Sequence, residues 1–129
     1  MGCSGLLLGR KGWVFASFGA CQLTLLQIVN LVSQQGSPFR AAATAHPAMV
    51  DPADAPKVTV PMLMIPSKDE SKDDVAQYKA ALKVKNEVEW FDDQIHGFMA
   101  ARGNLEDDGV RTAYEKGYSM LSNWFADNL

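Results

Sequence analysis

The sequence predicts a single mixed α/β domain, with about four mostly parallel strands flanked by helices. Three observations carry that expectation. Short runs rich in β-branched and aromatic residues alternate with segments of helical periodicity, the pattern of a parallel sheet with helices on its faces. A length of 129 residues suits one domain and excludes a second. A composition of 47% hydrophobic and 21% charged residues supports a packed core and excludes collagen-like or wholly disordered chains.

The elements follow in order. Residues 1–12 read as an irregular amino-terminal segment, and residues 13–129 as the domain. Trp13-Val14-Phe15-Ala16-Ser17-Phe18, closed by Gly19, reads as a buried strand. Leu25, Ile28, Val29 and Val32 recur at helical spacing before Gly36-Ser37-Pro38, giving a helix over about residues 22–35. Arg40 to Ala45 is a weaker strand ending at His46-Pro47, and Asp51-Pro52 to Pro56 is loop-like. Val58 to Ile65 is the clearest buried strand, with Pro61 near its start or at an unpaired position. Ser71 and Asp74 resemble a capping box for a helix over about residues 71–83, and Val88 to Phe91 forms the next strand. Val110, Ala113, Tyr114, Gly117, Tyr118, Leu121, Trp124 and Phe125 then mark a long carboxyl-terminal helix.

Charge and cysteine usage bound the function. The net charge of −3 supplies no basic excess for phosphates, so no nucleic-acid partner is expected. All 15 acidic residues lie beyond position 50, and the first third carries only Arg10, Lys11 and Arg40 as charges. Arg10-Lys11 before the apolar run Trp13 to Val32 has the sign and length of a signal anchor. Gln22, Thr24, Gln27, Asn30 and Gly19 interrupt that run, so a strand and a helix explain the same residues and no membrane partner is expected. Met1-Gly2 lacks the Ser or Thr that myristoylation requires at position six, which is Leu6. Cys3 and Cys21 have neither disulfide-scaffold nor zinc spacing, so a reducing, cytoplasmic compartment without metal is the expectation.

Ligands of open parallel sheets bind beyond the carboxyl ends of the strands. Three reactive residues fall there: Cys21 after the first strand, Asp69 after the Val58–Ile65 run, and His96 after Val88 to Phe91. A thiol at a helix amino terminus has its thiolate favoured, His96 takes the proton, and Asp69 holds the imidazole in one tautomer. The backbone N–H of Gln22 then faces the oxyanion of an acyl intermediate. Each residue has a plainer reading. Cys21 alone fits a core position, Asp69 alone a solvated charge or helix cap, and His96 alone a structural loop. Around them, Arg102 is a candidate fork for a substrate carboxylate against a plain surface role, Phe98 a core or pocket-wall residue, and His46 a pocket-lining or turn residue. Asp92 and Asp93 compete with Asp69 as partners of the histidine, although a loop role fits them better.

From Ile28 to Leu129 the chain resembles the dienelactone hydrolase family of α/β-hydrolases. The resemblance rests on His46-Pro47-Ala48, on Pro66-Ser67-Lys68-Asp69-Glu70, and above all on the segment from Asp92-Asp93-Gln94-Ile95-His96-Gly97-Phe98 through Gly103. It implies a partial α/β-hydrolase fold that opens lactone or related ester bonds of a small-molecule substrate, without metal or organic cofactor. By it, Asp69 and His96 match the family's acid and histidine, and Cys21 is the candidate nucleophile. The family's elbow reads Gly-x-Cys-x-Gly-Gly, whereas Gln22-Leu23-Thr24-Leu25 follow Cys21 here, and bulky Leu23 crowds the turn. The family's upstream strands, one of which leads to the second oxyanion donor, have no counterpart, so the chain reads as the carboxyl-terminal half of the domain. Two alternatives stay open. One is a non-catalytic fragment, an aberrant product or a module pairing into oligomers through Trp13–Phe18 as an exposed edge strand. The other is a membrane-anchored protein using Trp13 to Val32.

Overall fold

The computed structural model of the chain describes residues 3–9, 12–18 and 24–128, with side chains from Leu25 onward except Gln27. One sheet runs through it in the order β1 (Cys3–Gly9), β2 (Gly12–Phe18), β3 (Phe39–Ala45), β4 (Met62–Ile65) and β5 (Asn86–Val88). β1 and β2 are antiparallel, and every later pair is parallel. The helices are α1 (Thr24–Val32), α2 (Lys72–Ala81) and α3 (Asp108–Asn128). The mixed α/β class with a parallel sheet is therefore borne out.

Strand alternation decides the layering. Ala41, Ala43 and Ala45 of β3 join Leu63 and Ile65 of β4 in a core with Leu121, Trp124 and Phe125 of α3. Ala42, Met62 and Met64 point the other way, into a core with Leu25, Ile28, Val29 and Val32 of α1 and Val75 and Tyr78 of α2. Both faces of the central strands are thus buried, which is why their sequences are apolar without alternation. The Trp124 indole N–H donates to the Ala42 carbonyl at 3.1 Å in a buried contact, tying α3 to the sheet.

Several elements differ from the expectation. Residues 3–9, expected to be irregular, form β1, and β2 consequently lies between β1 and β3 and is no sheet edge. The run Trp13 to Val32 is divided between a strand and a nine-residue helix, which answers the single-anchor reading. Among the described residues, no helix is long and apolar enough to cross a membrane. The Val58–Ile65 strand contracts to Met62–Ile65 because Pro52–Lys57 forms a 3-10 turn whose Ala55 carbonyl accepts from the Val58 N–H. Pro61, which has no N–H, stands just outside β4, and its carbonyl accepts from Ala42 N–H at 2.8 Å. β5 moves two residues towards the amino terminus, to Asn86–Val88, and its half-exposed polar residues suit a sheet edge. Ser71 caps α2 as expected, its hydroxyl accepting from the Asp74 N–H at 3.2 Å.

Trp124→Phe should lower unfolding stability by about 1–3 kcal/mol, since the buried Ala42 carbonyl loses a donor and the core loses volume. Urea denaturation followed by circular dichroism checks this.

Candidate active site

Two loops leave the sheet side by side because β4 and β5 are parallel neighbours. An isolated parallel bridge between Ser67 and Phe91 prolongs that pairing past the strand ends. Phe91 N–H donates to the Pro66 carbonyl at 2.9 Å and Lys68 N–H to the Gln94 carbonyl at 3.0 Å, stitching the loops together. Within the second loop, Gln94 N–H returns to the Phe91 carbonyl at 3.0 Å, forming a tight turn that presents His96 to the first loop.

Both acids of the first loop reach His96, in different ways. Asp69 Oδ2 accepts from the His96 backbone N–H at 2.8 Å. Glu70 Oε1 lies 2.7 Å from His96 Nδ1, while its Oε2 accepts from the Ser67 N–H. Each Glu70 oxygen therefore has a partner, as a carboxylate whose side chain is 4% exposed requires. An ionised carboxylate only accepts, so the neutral ring carries its proton on Nδ1 and keeps Nε2 as a base. That is the arrangement of a histidine prepared to take a proton from a nucleophile.

A second imidazole adjoins the first. The His46 ring lies 5.0 Å from that of His96, centroid to centroid, at 70°. It is fully buried, and among the described residues neither of its ring nitrogens has a hydrogen-bond partner. Burial, followed by the nearby His96 charge, pushes its pKa down to about 4, with its own backbone opposing the shift.

The residues singled out in the sequence are distributed as follows. Cys21 and Gln22 lie outside the described residues. Asp69 and His96 are brought together, but Asp69 holds the histidine backbone and Glu70 holds the ring, which corrects the role expected of Asp69. The two acids are adjacent and only the turn geometry distinguishes them, so the sequence signal was an acidic pair and the longer side chain folds back to the ring. Asp92 pairs instead with Lys72 at 2.8 Å. Phe98 is fully buried, its ring 5.1 Å from that of Phe91 and 6.1 Å from that of His46, so it backs the site as core. Arg102 is exposed, and its methylenes lie over Gly97, which has φ 87°. A side chain at Gly97 would meet both that backbone strain and the Arg102 methylenes. A cleft of about 450 Å³ between Trp90, Phe91 and the first turns of α3 includes none of His46, Glu70 or His96. Among the described residues, no group of three or more His, Cys, Asp or Glu side chains is arranged to hold a metal ion.

No family model matches the sequence, and no solved structure matches it. Two curated relatives do. The chain is 36% identical over 92 residues to the uncharacterized AIM2 family protein C30D10.14 of Schizosaccharomyces pombe, a match covering 67% of this chain and 37% of that protein. It is 33% identical over 94 residues to the uncharacterized AIM2 family protein C977.15 of the same organism, covering 69% of this chain and 38% of the relative. The chain thus spans less than two-fifths of the length of these relatives.

His46 makes stability depend on pH. Its pKa is about 4 folded against an ordinary 6.5, so the unfolded chain binds the proton more readily. This contribution is complete above pH 6.5 and falls as pH drops towards 4, by on the order of 3 kcal/mol in all. His46→Phe should remove it, flattening the pH dependence of stability over that window in urea titrations at successive pH values.

Proposed function

We propose that the protein hydrolyses ester or lactone bonds of small molecules in the manner of dienelactone hydrolases, on a partial α/β-hydrolase fold, with Cys21 as nucleophile and His96 as acid and base. One observation carries the reading: at the carboxyl-terminal rim of a parallel sheet, a histidine receives a buried carboxylate at 2.7 Å on one ring nitrogen and keeps the other as a base. Glu70 takes the place expected of Asp69 at the ring, and Asp69 anchors the same histidine through its backbone.

The reaction follows from those groups. Nε2 of His96 accepts the Cys21 thiol proton as sulfur bonds to the carbonyl carbon, whose oxygen becomes an oxyanion, with the Gln22 N–H as its proposed donor. Collapse breaks the ester C–O bond, and the imidazolium returns its proton to the departing alkoxide. Water, losing a proton to the same nitrogen, then adds to the thioester. When that adduct collapses, the C–S bond breaks, the acid leaves and the thiolate takes its proton back. Glu70 stabilises the imidazolium in each half of the cycle without itself being protonated. No organic cofactor takes part, and a free thiol suits a reducing, cytoplasmic setting. Arg102 is the candidate fork for a substrate carboxylate at the rim.

A second reading, a non-catalytic module that pairs through a sheet edge, is favoured by the departure of Gln22-Leu23-Thr24 from the small residues of the family's elbow. The pairing strand is then β1, at the edge of the sheet.

Turnover of p-nitrophenyl acetate by the purified chain tests the proposal. Cys21→Ala should bring the rate to background, and Glu70→Gln should cost about a hundredfold or more in kcat. Asp69→Asn, which keeps an acceptor for the backbone N–H, should cost about tenfold or less. A Cys21→Ala rate equal to wild type overturns the mechanism, and a monomeric, cooperatively folded, active chain removes the second reading.

A further inference from the structure

His46 is a buried ring set edge-on against that of His96. Among the described residues neither ring nitrogen has a hydrogen-bond partner, although the side chain is fully buried. A phenylalanine in the same space, beside Phe98, would avoid burying unpartnered polar atoms. Its backbone is costly too: φ is 39°, a left-handed conformation for a residue with a side chain. The His46 N–H, donating to the Ile65 carbonyl at 2.6 Å, holds that conformation at the end of β3. Strained backbone and unpartnered ring coincide where the side chain meets His96.

We propose that His46 is a positioning residue for His96, a second imidazole whose T-shaped contact fixes the plane of the ring that Glu70 holds by one nitrogen. The effect on turnover rests on the ester-hydrolase reading, whereas the ring contact does not. The hydrogen bond at Nδ1 restrains rotation of the His96 ring about Cβ–Cγ, and the contact with the His46 ring adds a second restraint, so Nε2 keeps one direction. Around this contact stand His96 itself, Glu70 and Asp69 from the loop after β4, and the uncharged Phe98. Burial keeps His46 from competing for the proton that His96 transfers.

The chain has two histidines, so NMR of protein carrying 15N-labelled histidine resolves both rings. His46 should stay neutral down to about pH 5. His46→Gly relieves the positive φ and removes the ring. It should lower kcat for p-nitrophenyl acetate about tenfold with KM held within about twofold, broaden the His96 ring signals, and recover on addition of free imidazole. His46→Leu, which removes the ring from a filled core, should lose the same activity if the glycine variant fails to fold. His46→Phe keeps the ring contact and should retain kcat within about threefold with sharp His96 signals. The proposal is overturned if the ring-less variants match wild type in kcat and His96 line shape, or if His46→Phe falls as far as they do. Absence of thiol-dependent turnover in the wild type defeats the hydrolase reading alone. The His96 line shapes then decide: broadening without the His46 ring sustains its role, and unchanged lines end it.

Discussion

The parallel pairing of β4 with β5, carried one step further by the Ser67–Phe91 bridge, is the constraint on which the site depends. Parallel neighbours end on the same side of a sheet, so the chain segments that follow them emerge together. The backbone bonds from Phe91 to Pro66 and from Lys68 to Gln94 then set the loops in one register. In that register Asp69 meets the main chain of His96 while Glu70 meets its ring. A carboxylate placed this way has one oxygen committed to the Ser67 N–H and the other to the imidazole, so a charge is buried with its partners in place.

Dry surroundings give that pair its force. Small residues on β3 let α3 and the Phe91–Phe98 pair come close on one face, while α1 and α2 cover the other. Water is kept from the floor of the site, and electrostatic contacts there are screened less than at the surface. The same dryness explains His46, which tolerates burial by remaining neutral. Its position follows from β3, whose last residue, Ala45, precedes it at the rim.

Much of the frame was legible in the residues. Leu25, Ile28, Val29 and Val32 marked the inner face of α1, and all four are buried. The carboxyl-terminal helix was equally clear, although Val110, Tyr114 and Tyr118 border the buried stripe that Ala113, Gly117, Leu121, Trp124 and Phe125 form. Strand lengths were less legible. Val58 and Val60 are as buried as β4 itself, so hydrophobicity alone does not separate strand from the turn before it, and only hydrogen bonding does. β1 was not legible because Ser4-Gly5-Leu6-Leu7-Leu8-Gly9 has no alternating pattern, and its pairing with β2 comes from contacts beyond the local sequence.

Local sequence determined the alternation of elements and the presence of a histidine and an acidic pair in loops that follow strands. These depend on periodicity, turn residues and capping, which act over a few neighbours. Which acid serves the ring, and that a second histidine lies against it, were decided by tertiary structure. Asp69 and Glu70 differ by one methylene and one position, so their roles separate only when the turn aims each side chain. His46 and His96 are fifty residues apart, and only the folded sheet brings their rings to 5.0 Å.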